Sequence, residues 1–328
     1  MVRTKYSHNR EKEIMDISVV IAHIGDQENI QGTIESHYKA LKKAKLDFEI
    51  IISDNGSFED ELEILKTFIK KHPQYRIKLV HESTVGTIPA FQTGILQAAG
   101  KYLCISDSHI AVSRNYYIKQ IPLIRDDVVL VYAPARFSFE DKELVYEYGW
   151  NYFSDYKSTF RNIPRSKTEP YYVGVSQMGA PIILRDVFMQ YGMFGETAFE
   201  KYGGYTAEEL LLGLKCWMFG YKVLMNPNTY YIHAKRVRGR QAGKKEQPAA
   251  FCMMSYLIEG EDRAKEMVEY YQFGINEENT NPSYEYTSIE QAFEDLKRLG
   301  DRDRDFIVNN AKYTFPEVLD IWKELKII

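Results

Sequence analysis

Cysteine and long apolar runs are both scarce in this 328-residue sequence. The three cysteines, Cys104, Cys216 and Cys252, are odd in number and scattered, which predicts buried thiols in a reducing compartment instead of a disulfide framework or a zinc site. No apolar stretch approaches the ~18–20 residues of a membrane span. Residues 1–16 also lack the apolar core that a signal peptide needs. We therefore expect a soluble, cytoplasmic protein.

Charge and glycine patterning exclude further classes of protein. The formal net charge is −4, so the chain has no global attraction to nucleic acid or to an anionic membrane. No GxGxxG motif follows the first predicted strand, and a dinucleotide-binding fold therefore lacks specific support. Hydrophobic residues at 45% and charged residues at 27% are typical of a globular protein with an ample core.

Strand-like and helix-like segments alternate through the first third of the chain. Strands are predicted at 17–22, 48–53, 77–81 and 102–107, separated by helices at 28–45, 58–72 and 89–99. This alternation predicts βαβ units and an α/β fold with a mostly parallel sheet. Ligands bind beyond the carboxyl ends of parallel strands, and that is where Asp54 and Asp107 fall.

The second half of the chain is less regular. Strands are predicted at 128–139, 173–184, 222–225 and 229–233, with a helix at 206–219. The segment 150–172 is aromatic, basic and loop-like, and 234–248 is basic and expected to be mobile. From residue 249 the pattern is helical, with a break at 274–282.

The triplet Asp107-Ser108-His109 is the most informative local feature. An apolar run ends in an acid, one spacer and an imidazole. On a strand, positions i and i+2 point the same way, so the side chains of Asp107 and His109 should converge. A carboxylate oxygen and an imidazole nitrogen suit a borderline divalent cation such as Mn²⁺ better than Ca²⁺. Without its context, such a triplet is more typical of a capped loop.

Three longer segments supply that context. They are EIIISDNGSFED at 49–60, TVGTIPAFQTGILQAAGKYLCISDSH at 84–109 and AEELLLGLKCWMFGYKVLMNP at 207–227. In this order they resemble the family 2 glycosyltransferases with the GT-A fold, over roughly residues 15–235. The resemblance implies a Rossmann-like, mostly parallel sheet flanked by helices.

The resemblance also implies a division of the chain. A GT-A glycosyltransferase domain is expected at 1–235, with a nucleotide-binding half at about 15–112 and an acceptor half at about 113–235. The remaining residues, 236–328, are expected to form a basic loop and a helical C-terminal extension.

The sequence departs from the family pattern at two places, and one of them resembles a related group of enzymes. The usual D-x-D motif is D-S-H here, and 22–25 reads Ala-His-Ile-Gly where P-T-Y-N is common. The D-x-H form resembles the polypeptide N-acetylgalactosaminyltransferases on the same fold. That resemblance implies His233 as a third metal ligand beside Asp107 and His109. It also implies that the small-residue segment around Gly179 and Ala180 faces the donor sugar.

The metal implied by this comparison has a chemical role. Transfer from a nucleoside diphosphate sugar builds charge on the departing diphosphate, and a divalent cation, Mn²⁺ or Mg²⁺, stabilises that charge. Three protein ligands leave the rest of an octahedron for diphosphate and water.

The nucleotide is expected at the ends of the first two strands. By resemblance, Asp54 accepts a hydrogen bond from the uracil ring N–H, and the backbone at Ala22 and His23 lines the base pocket. Asp54 could instead be the cap of a turn.

Glu208 and Glu209 open a predicted helix. Acids near a helix N-terminus are favoured by the macrodipole, which is one explanation for both. The other is that a carboxylate accepts the proton of the acceptor hydroxyl during attack. Counting back from Gly220-Tyr221-Lys222 in the family register gives Glu209 as the base, with Glu208 holding neighbouring groups or binding the acceptor.

A basic run follows His233. Its lysines and arginines are Lys235, Arg236, Arg238, Arg240, Lys244 and Lys245. Arg236 and Arg238 could close on the diphosphate as part of a lid. The run could equally be a solvated loop or contact a polyanionic acceptor.

The leading functional prediction is a metal-dependent glycosyltransferase that moves a sugar, a hexose or an N-acetylhexosamine, from a UDP-sugar to a hydroxyl. The acceptor is left open among a glycan, a protein side chain and a modified nucleobase, and nucleic acid enters only as such an acceptor. The alternatives are a nucleotidyltransferase and a non-catalytic sugar-binding relative. Inversion and retention of anomeric configuration also stay open.

Overall fold

The computed structural model describes most of the chain. The described residues are 15–83, 86–139, 142–147, 150–151, 159–160, 165–175, 179–195, 197–202, 207–234, 247–272, 275 and 285–328. Within these ranges no helix is long and apolar enough to cross a lipid bilayer.

Fourteen strands are present in the described ranges. They are β1 (Ile17–His23), β2 (Phe48–Asp54), β3 (Ile77–His81), β4 (Tyr102–Asp107), β5 (Ile110–Val112), β6 (Val128–Tyr132), β7 (Ala135–Phe139), β8 (Lys142–Glu147), β9 (Trp150–Asn151), β10 (Thr159–Phe160), β11 (Tyr171–Tyr172), β12 (Ile182–Leu184), β13 (Lys222–Met225) and β14 (Tyr231–His233). Eight of them form the central sheet, in the order β11-β13-β6-β12-β4-β1-β2-β3. β1 pairs in parallel with β2 and with β4. The pairs β2–β3 and β6–β13 are also parallel. In contrast, β11 and β12 run antiparallel to their neighbours.

Helices cover both faces of this sheet. They are α1 (Gln27–Ala44), α2 (Glu59–Lys71), α3 (Thr87–Leu96), α4 (Tyr116–Gln120), α5 (Arg185–Gln190), α6 (Ala207–Met218), α7 (Gln247–Ile258), α8 (Glu261–Tyr271), α9 (Ile289–Asn310) and α10 (Phe315–Glu324). Single turns of 3₁₀ helix occupy Pro73–Tyr75 and Ile121–Leu123.

The apolar run of β1 is explained by burial on both faces. Val19 and Ile21 pack into one hydrophobic cluster with Ile30 of α1, whereas Val20 packs into a second cluster with Phe91 of α3. Successive side chains of a strand point to opposite faces, so both sets are fully buried. A parallel strand covered on both sides therefore needs apolar residues at nearly every position.

A second sheet lies beyond the carboxyl end of β4. Its order is β5-β14-β7-β8, with β14 antiparallel to β5 and parallel to β7. This sheet begins at Ile110, three residues after Asp107, and it brings the end of β14 back to the same place.

The predicted α/β fold class is confirmed. The helices and strands expected before residue 108 are all present, and their bounds differ from the predicted ones by three residues or fewer. The predicted helix at 206–219 and the strand at 222–225 are present as α6 and β13. The chain is helical in α7 to α10, as expected after residue 249.

Two predicted strands are wrong in extent because of proline. The predicted strand 128–139 is divided into β6 and β7, with Pro134 between them. Of the predicted strand 173–184, only Ile182–Leu184 is a strand among the described residues. The carbonyls of Gly179 and Pro181 still accept hydrogen bonds from β4, but Pro181 has no N–H to return one, so the ladder is not continued.

The C-terminal helices share a hydrophobic cluster with the central sheet. Ala250 of α7, Leu296 of α9 and Trp322 of α10 belong to the cluster that contains Val20 of β1. A Cβ added at Gly174 would lie 2.7 Å from the Trp322 ring, which shows how closely α10 approaches the backbone beside β11. The division of the chain at residue 235 stays a prediction.

The burial of Trp322 allows a test of this packing. Its ring is fully buried and meets the Trp217 ring of α6 edge to face, with centroids 6.2 Å apart. We expect Trp322→Ala to lower the free energy of unfolding by about 3–5 kcal/mol in chemical denaturation. Lys323→Ala, at an exposed neighbouring position, should change it by at most about 0.5 kcal/mol. A loss no larger than that of the control would contradict the packing role.

Candidate active site

Three parallel strands end side by side at one edge of the central sheet. In the pairing register, His23 at the end of β1 lies opposite Asp54 of β2, and Ala22 lies opposite Asp107 of β4. Four of the residues that the sequence predicts for the site are therefore neighbours at the carboxyl edge. This is the edge at which parallel α/β sheets bind ligands.

A three-residue cluster lies at this edge. Ligand atoms of Asp107, His109 and His233 all lie within 4.8 Å of one another. Nε2 of His233 is 3.6 Å from Oδ2 of Asp107, and the two imidazole rings are nearly perpendicular, with centroids 4.6 Å apart. All three side chains are partly exposed. A carboxylate and two imidazoles form a donor set that fits a divalent transition metal such as Mn²⁺.

The second sheet brings His233 to the cluster. β14 pairs antiparallel with β5, and His233 lies opposite Ile110 in that register. The amide of Ala234 donates to the carbonyl oxygen of His109 at 2.8 Å, so the two histidines are held by the same ladder. A strand only three residues long is enough, because β7 pairs with its other edge.

Helix α1 holds the turn that carries the D-x-H motif. The Thr33 hydroxyl donates to the carbonyl oxygen of Ser108 at 2.8 Å and accepts from the amide of Ile110 at 3.1 Å. The Ser108 hydroxyl in turn donates to the carboxylate of Asp26 at 3.0 Å, and Nδ1 of His109 lies 3.3 Å from the same Asp26 oxygen. The sequence analysis missed Asp26 and Thr33, which lie more than 70 residues from the motif.

A buried histidine, His37, contacts β4 just before the D-x-H motif. Nδ1 of His37 is 2.5 Å from the Tyr117 hydroxyl, and Nε2 is 3.0 Å from the Ser106 hydroxyl, directly before Asp107. Burial lowers the pKa of His37 to about 3, so this imidazole is neutral. The interaction is a structural one between α1, α4 and β4.

Asp54 lies at the end of β2, between the ends of β1 and β3. Its side chain is 1% exposed, and Oδ2 lies 3.3 Å from Nδ1 of His81 at the end of β3. The buried Oδ1 has no hydrogen-bond partner among the described residues. A buried carboxylate oxygen normally accepts a hydrogen bond, so this oxygen is suited to a hydrogen-bond donor of a ligand. The next residue, Asn55, links the strands, since its amide donates to the His23 carbonyl at 2.8 Å and its side-chain oxygen accepts from the Gly86 amide at 2.7 Å.

Gly179 and Ala180 lie against β4, beside the cluster. The carbonyl oxygen of Gly179 accepts from the amide of Asp107 at 3.3 Å, and that of Ala180 accepts from the Tyr116 hydroxyl at 2.6 Å. A Cβ added at Gly179 would lie 2.0 Å from the Tyr231 ring in β14. Only glycine fits there with the Tyr231 ring in this position, because a Cβ would overlap the ring.

The two predicted acids lie in the first turn of α6. Glu208 is buried and Glu209 is half-buried. Of the other predicted residues, Arg236 and Arg238 lie outside the described residues, as does most of the basic segment after His233.

Lys215 is a buried lysine that was not predicted from the sequence. It lies two turns after the acids on α6, and its Nζ donates to the carbonyl oxygen of Met193 at 2.7 Å. Burial lowers the pKa of Lys215 to about 7, although the nearby Asp303 carboxylate opposes this effect. A lysine in an amphipathic pattern is usually exposed, so no local signal distinguishes this one.

The fold and the carboxyl-edge site define an α/β protein of the GT-A class. The sequence model of the family described as Glycosyl transferase family 2 matches residues 18–192, which is more than half of the chain. The chain therefore belongs to glycosyl transferase family 2, and the family resemblance of its motifs is confirmed.

Individual relatives agree with this assignment. The chain is 24% identical to N-acetylgalactosaminyltransferase 7 of Mus musculus over 255 residues, which cover 72% of this chain and 38% of the relative. It thus spans well under half of the relative's length.

Solved structures show the same fold. The crystal structure of GalNAc-T7 with UDP, GalNAc and Mn²⁺ superimposes with a TM-score of 0.60 at 18% identity, covering 88% of this chain and 55% of that one. The structure of S. aureus TarS residues 1–349 in complex with UDP-GlcNAc gives a TM-score of 0.53 at 14% identity, covering 79% and 72%.

The burial of Lys215 predicts a pH dependence of stability. With its folded pKa lowered to about 7, the unfolded chain binds more protons than the folded one between pH ~7 and ~8.5, so stability rises with pH. We expect the free energy of unfolding to increase over this range in denaturant titrations. Lys215→Met should remove that increase, whereas Lys66→Met, at an exposed lysine, should retain it. An unchanged pH dependence in Lys215→Met would contradict the shift.

Proposed function

We propose that this chain transfers a sugar from a UDP-sugar to a hydroxyl of an acceptor, with a divalent cation held by Asp107, His109 and His233. The observation that carries the proposal is the convergence of these three side chains within 4.8 Å at the sheet edge next to Asp54. A bound Mn²⁺ or Mg²⁺ would act as a Lewis acid on the diphosphate.

The nucleotide is assigned to the ends of β1 and β2. Asp54 accepts the uracil N–H through its buried Oδ1, and the backbone at Ala22 and His23 forms the floor beside the base. The support is the buried, otherwise unsatisfied oxygen and the register that joins these residues to Asp107. Gly179 and Ala180 line the donor sugar. The support is that both lie against β4, where the Gly179 carbonyl accepts from the Asp107 amide and the Ala180 carbonyl lies near Cys104.

Glu209 is proposed as the general base. It accepts the proton of the acceptor hydroxyl as the oxygen attacks the anomeric carbon, while Glu208 holds neighbouring groups or binds the acceptor. The support is the family register and the position of both acids at the start of α6. Arg236 and Arg238 are proposed to neutralise the diphosphate from the basic segment after His233. The acceptor class stays open among a glycan, a protein side chain and a modified nucleobase.

Family membership favours glycosyl transfer over nucleotidyl transfer. A non-catalytic relative would bind a nucleotide sugar and release no product. Turnover therefore distinguishes an enzyme from a sugar-binding relative.

Metal-dependent hydrolysis of a donor tests the function. Incubated with a panel of UDP-sugars and Mn²⁺, the protein should slowly release UDP from at least one donor. Asp107→Ala should reduce the rate by at least about 100-fold, because metal stabilisation of the leaving group is worth several kcal/mol. Asp186→Ala, which removes an exposed carboxylate, should leave the rate unchanged. Full activity of Asp107→Ala in excess EDTA, or no release from any donor, would contradict the proposal.

The assignment of the base is tested separately. Glu209→Gln should leave UDP binding nearly intact while lowering transfer by roughly 10²–10⁴-fold, the usual contribution of general acid–base catalysis. UDP affinity by calorimetry and transfer rates by product analysis give the two readouts. If Glu208→Gln shows this loss and Glu209→Gln does not, the base is Glu208. If neither does, direct deprotonation by this pair is excluded.

A further inference from the structure

Asp26 occupies the N-cap position of α1 but does not cap the helix. Its backbone has φ −101° and ψ 58°, and its side chain makes no capping hydrogen bond to the described first turn. An aspartate at this position normally accepts from a backbone N–H two or three residues later. The side chain is 1% exposed, so its carboxylate is directed at something inside the fold.

The carboxylate is engaged by the D-x-H turn. Oδ2 accepts from the Ser108 hydroxyl at 3.0 Å and lies 3.3 Å from Nδ1 of His109, while Oδ1 accepts from the side-chain amide of Asn29 at 2.9 Å. Both oxygens of this buried carboxylate therefore accept a hydrogen bond, and Nδ1 of His109 is a third polar atom beside it.

An ionised carboxylate constrains the histidine beside it. A carboxylate accepts hydrogen bonds and donates none, so the nitrogen that faces it must carry the hydrogen. In a neutral imidazole only one nitrogen is protonated, and a hydrogen on Nδ1 leaves the lone pair on Nε2. Carboxylate partners of this kind fix the orientation of metal-binding histidines and raise their basicity.

The backbone of the turn does not depend on Asp26. Thr33 holds the carbonyl of Ser108 and the amide of Ile110, and Ser36 accepts from the amide of Val112 at 3.2 Å. Removing the Asp26 carboxylate should therefore release the His109 ring while the turn keeps its position.

We propose that Asp26 is a positioning residue that fixes His109 in its Nδ1–H tautomer and so presents Nε2 to the cluster with Asp107 and His233. The inference rests on the proposed function, because presenting Nε2 is useful only if the cluster binds a metal ion. The tautomer itself is a property of the metal-free protein and can be measured without any ligand.

Histidine NMR provides that measurement. In ¹⁵N-histidine-labelled, metal-free protein at about pH 8, where imidazole is ordinarily neutral, long-range ¹H–¹⁵N spectra distinguish the two tautomers. His109→Gln assigns the signals of His109. We expect Nδ1–H in the unmodified protein and a shift towards Nε2–H in Asp26→Ala. An Nε2–H tautomer in the unmodified protein, or an unchanged tautomer in Asp26→Ala, would overturn the inference.

Metal affinity is the second readout. With UDP present, Mn²⁺ titration followed by electron paramagnetic resonance should show roughly 10–100-fold weaker binding in Asp26→Ala. Glu35→Ala removes an equal charge from an exposed site on α1 and should bind Mn²⁺ normally. Asp26→Asn keeps an acceptor oxygen and should bind Mn²⁺ with intermediate affinity. It replaces Asp26→Ala in the comparison if the alanine variant does not fold. If the unmodified protein binds Mn²⁺, an equal affinity in Asp26→Ala would overturn the inference.

The two readouts separate this inference from the proposed function. If the tautomer shifts as expected but the unmodified protein binds no Mn²⁺, the metal-dependent function fails and the positioning of His109 by Asp26 stands. If Mn²⁺ binds and the tautomer does not respond to Asp26, the positioning fails and the metal site stands.

Discussion

The register of β1 with its two parallel neighbours is the constraint on which the site depends. It places Ala22 beside Asp107 and His23 beside Asp54, so the proposed nucleotide and metal residues share one edge. A slip of one residue would turn every side chain of β1 to the other face. Both faces of β1 are buried, so that slip would exchange the residues packed against α1 with those packed against α3 and disrupt the packing of both clusters. The hydrophobic core therefore stabilises the geometry of the site as well as the fold.

Helix α1 joins the core to the cluster of Asp107, His109 and His233. Ile30 and Ile34 bury one side of the helix against the sheet, and Thr33, between them, holds the turn after β4. The energy that fixes the helix is hydrophobic burial, whereas the groups that hold the turn are polar and few. A site supported in this way is pre-organised, because the supporting side chains are themselves locked by packing.

The sequence predicts the parts of the site that depend on local pattern. Strand alternation predicts the edge. The i, i+2 spacing on a strand predicts that Asp107 and His109 converge; they do, but β4 ends at Asp107 and His109 lies in the turn that follows it. His233 follows only from the family resemblance, because its approach depends on the pairing of β14 with β5, more than 100 residues apart. Asp26 and Lys215 were not predicted, since an acid before a helix and a lysine within one are ordinary surface features. Their burial is decided by distant partners.

The C-terminal helices pack around α6, the helix that carries the two acids proposed for the site. The helix that begins with Glu208 and Glu209 continues to Lys215, which holds the carbonyl of Met193. Nearby, Asp303 of α9 accepts from the backbone amides of Thr197 and Ala198 at 2.9 and 2.8 Å.

Met193 is therefore held by α6, and Thr197 and Ala198 are held by α9. Trp322 of α10 packs on Trp217 near the end of α6. Because a proton-accepting carboxylate must lie within hydrogen-bonding reach of its substrate, small shifts of α6 would be costly for the proposed base. The C-terminal helices thus act physically as the support of the helix that carries the two acids.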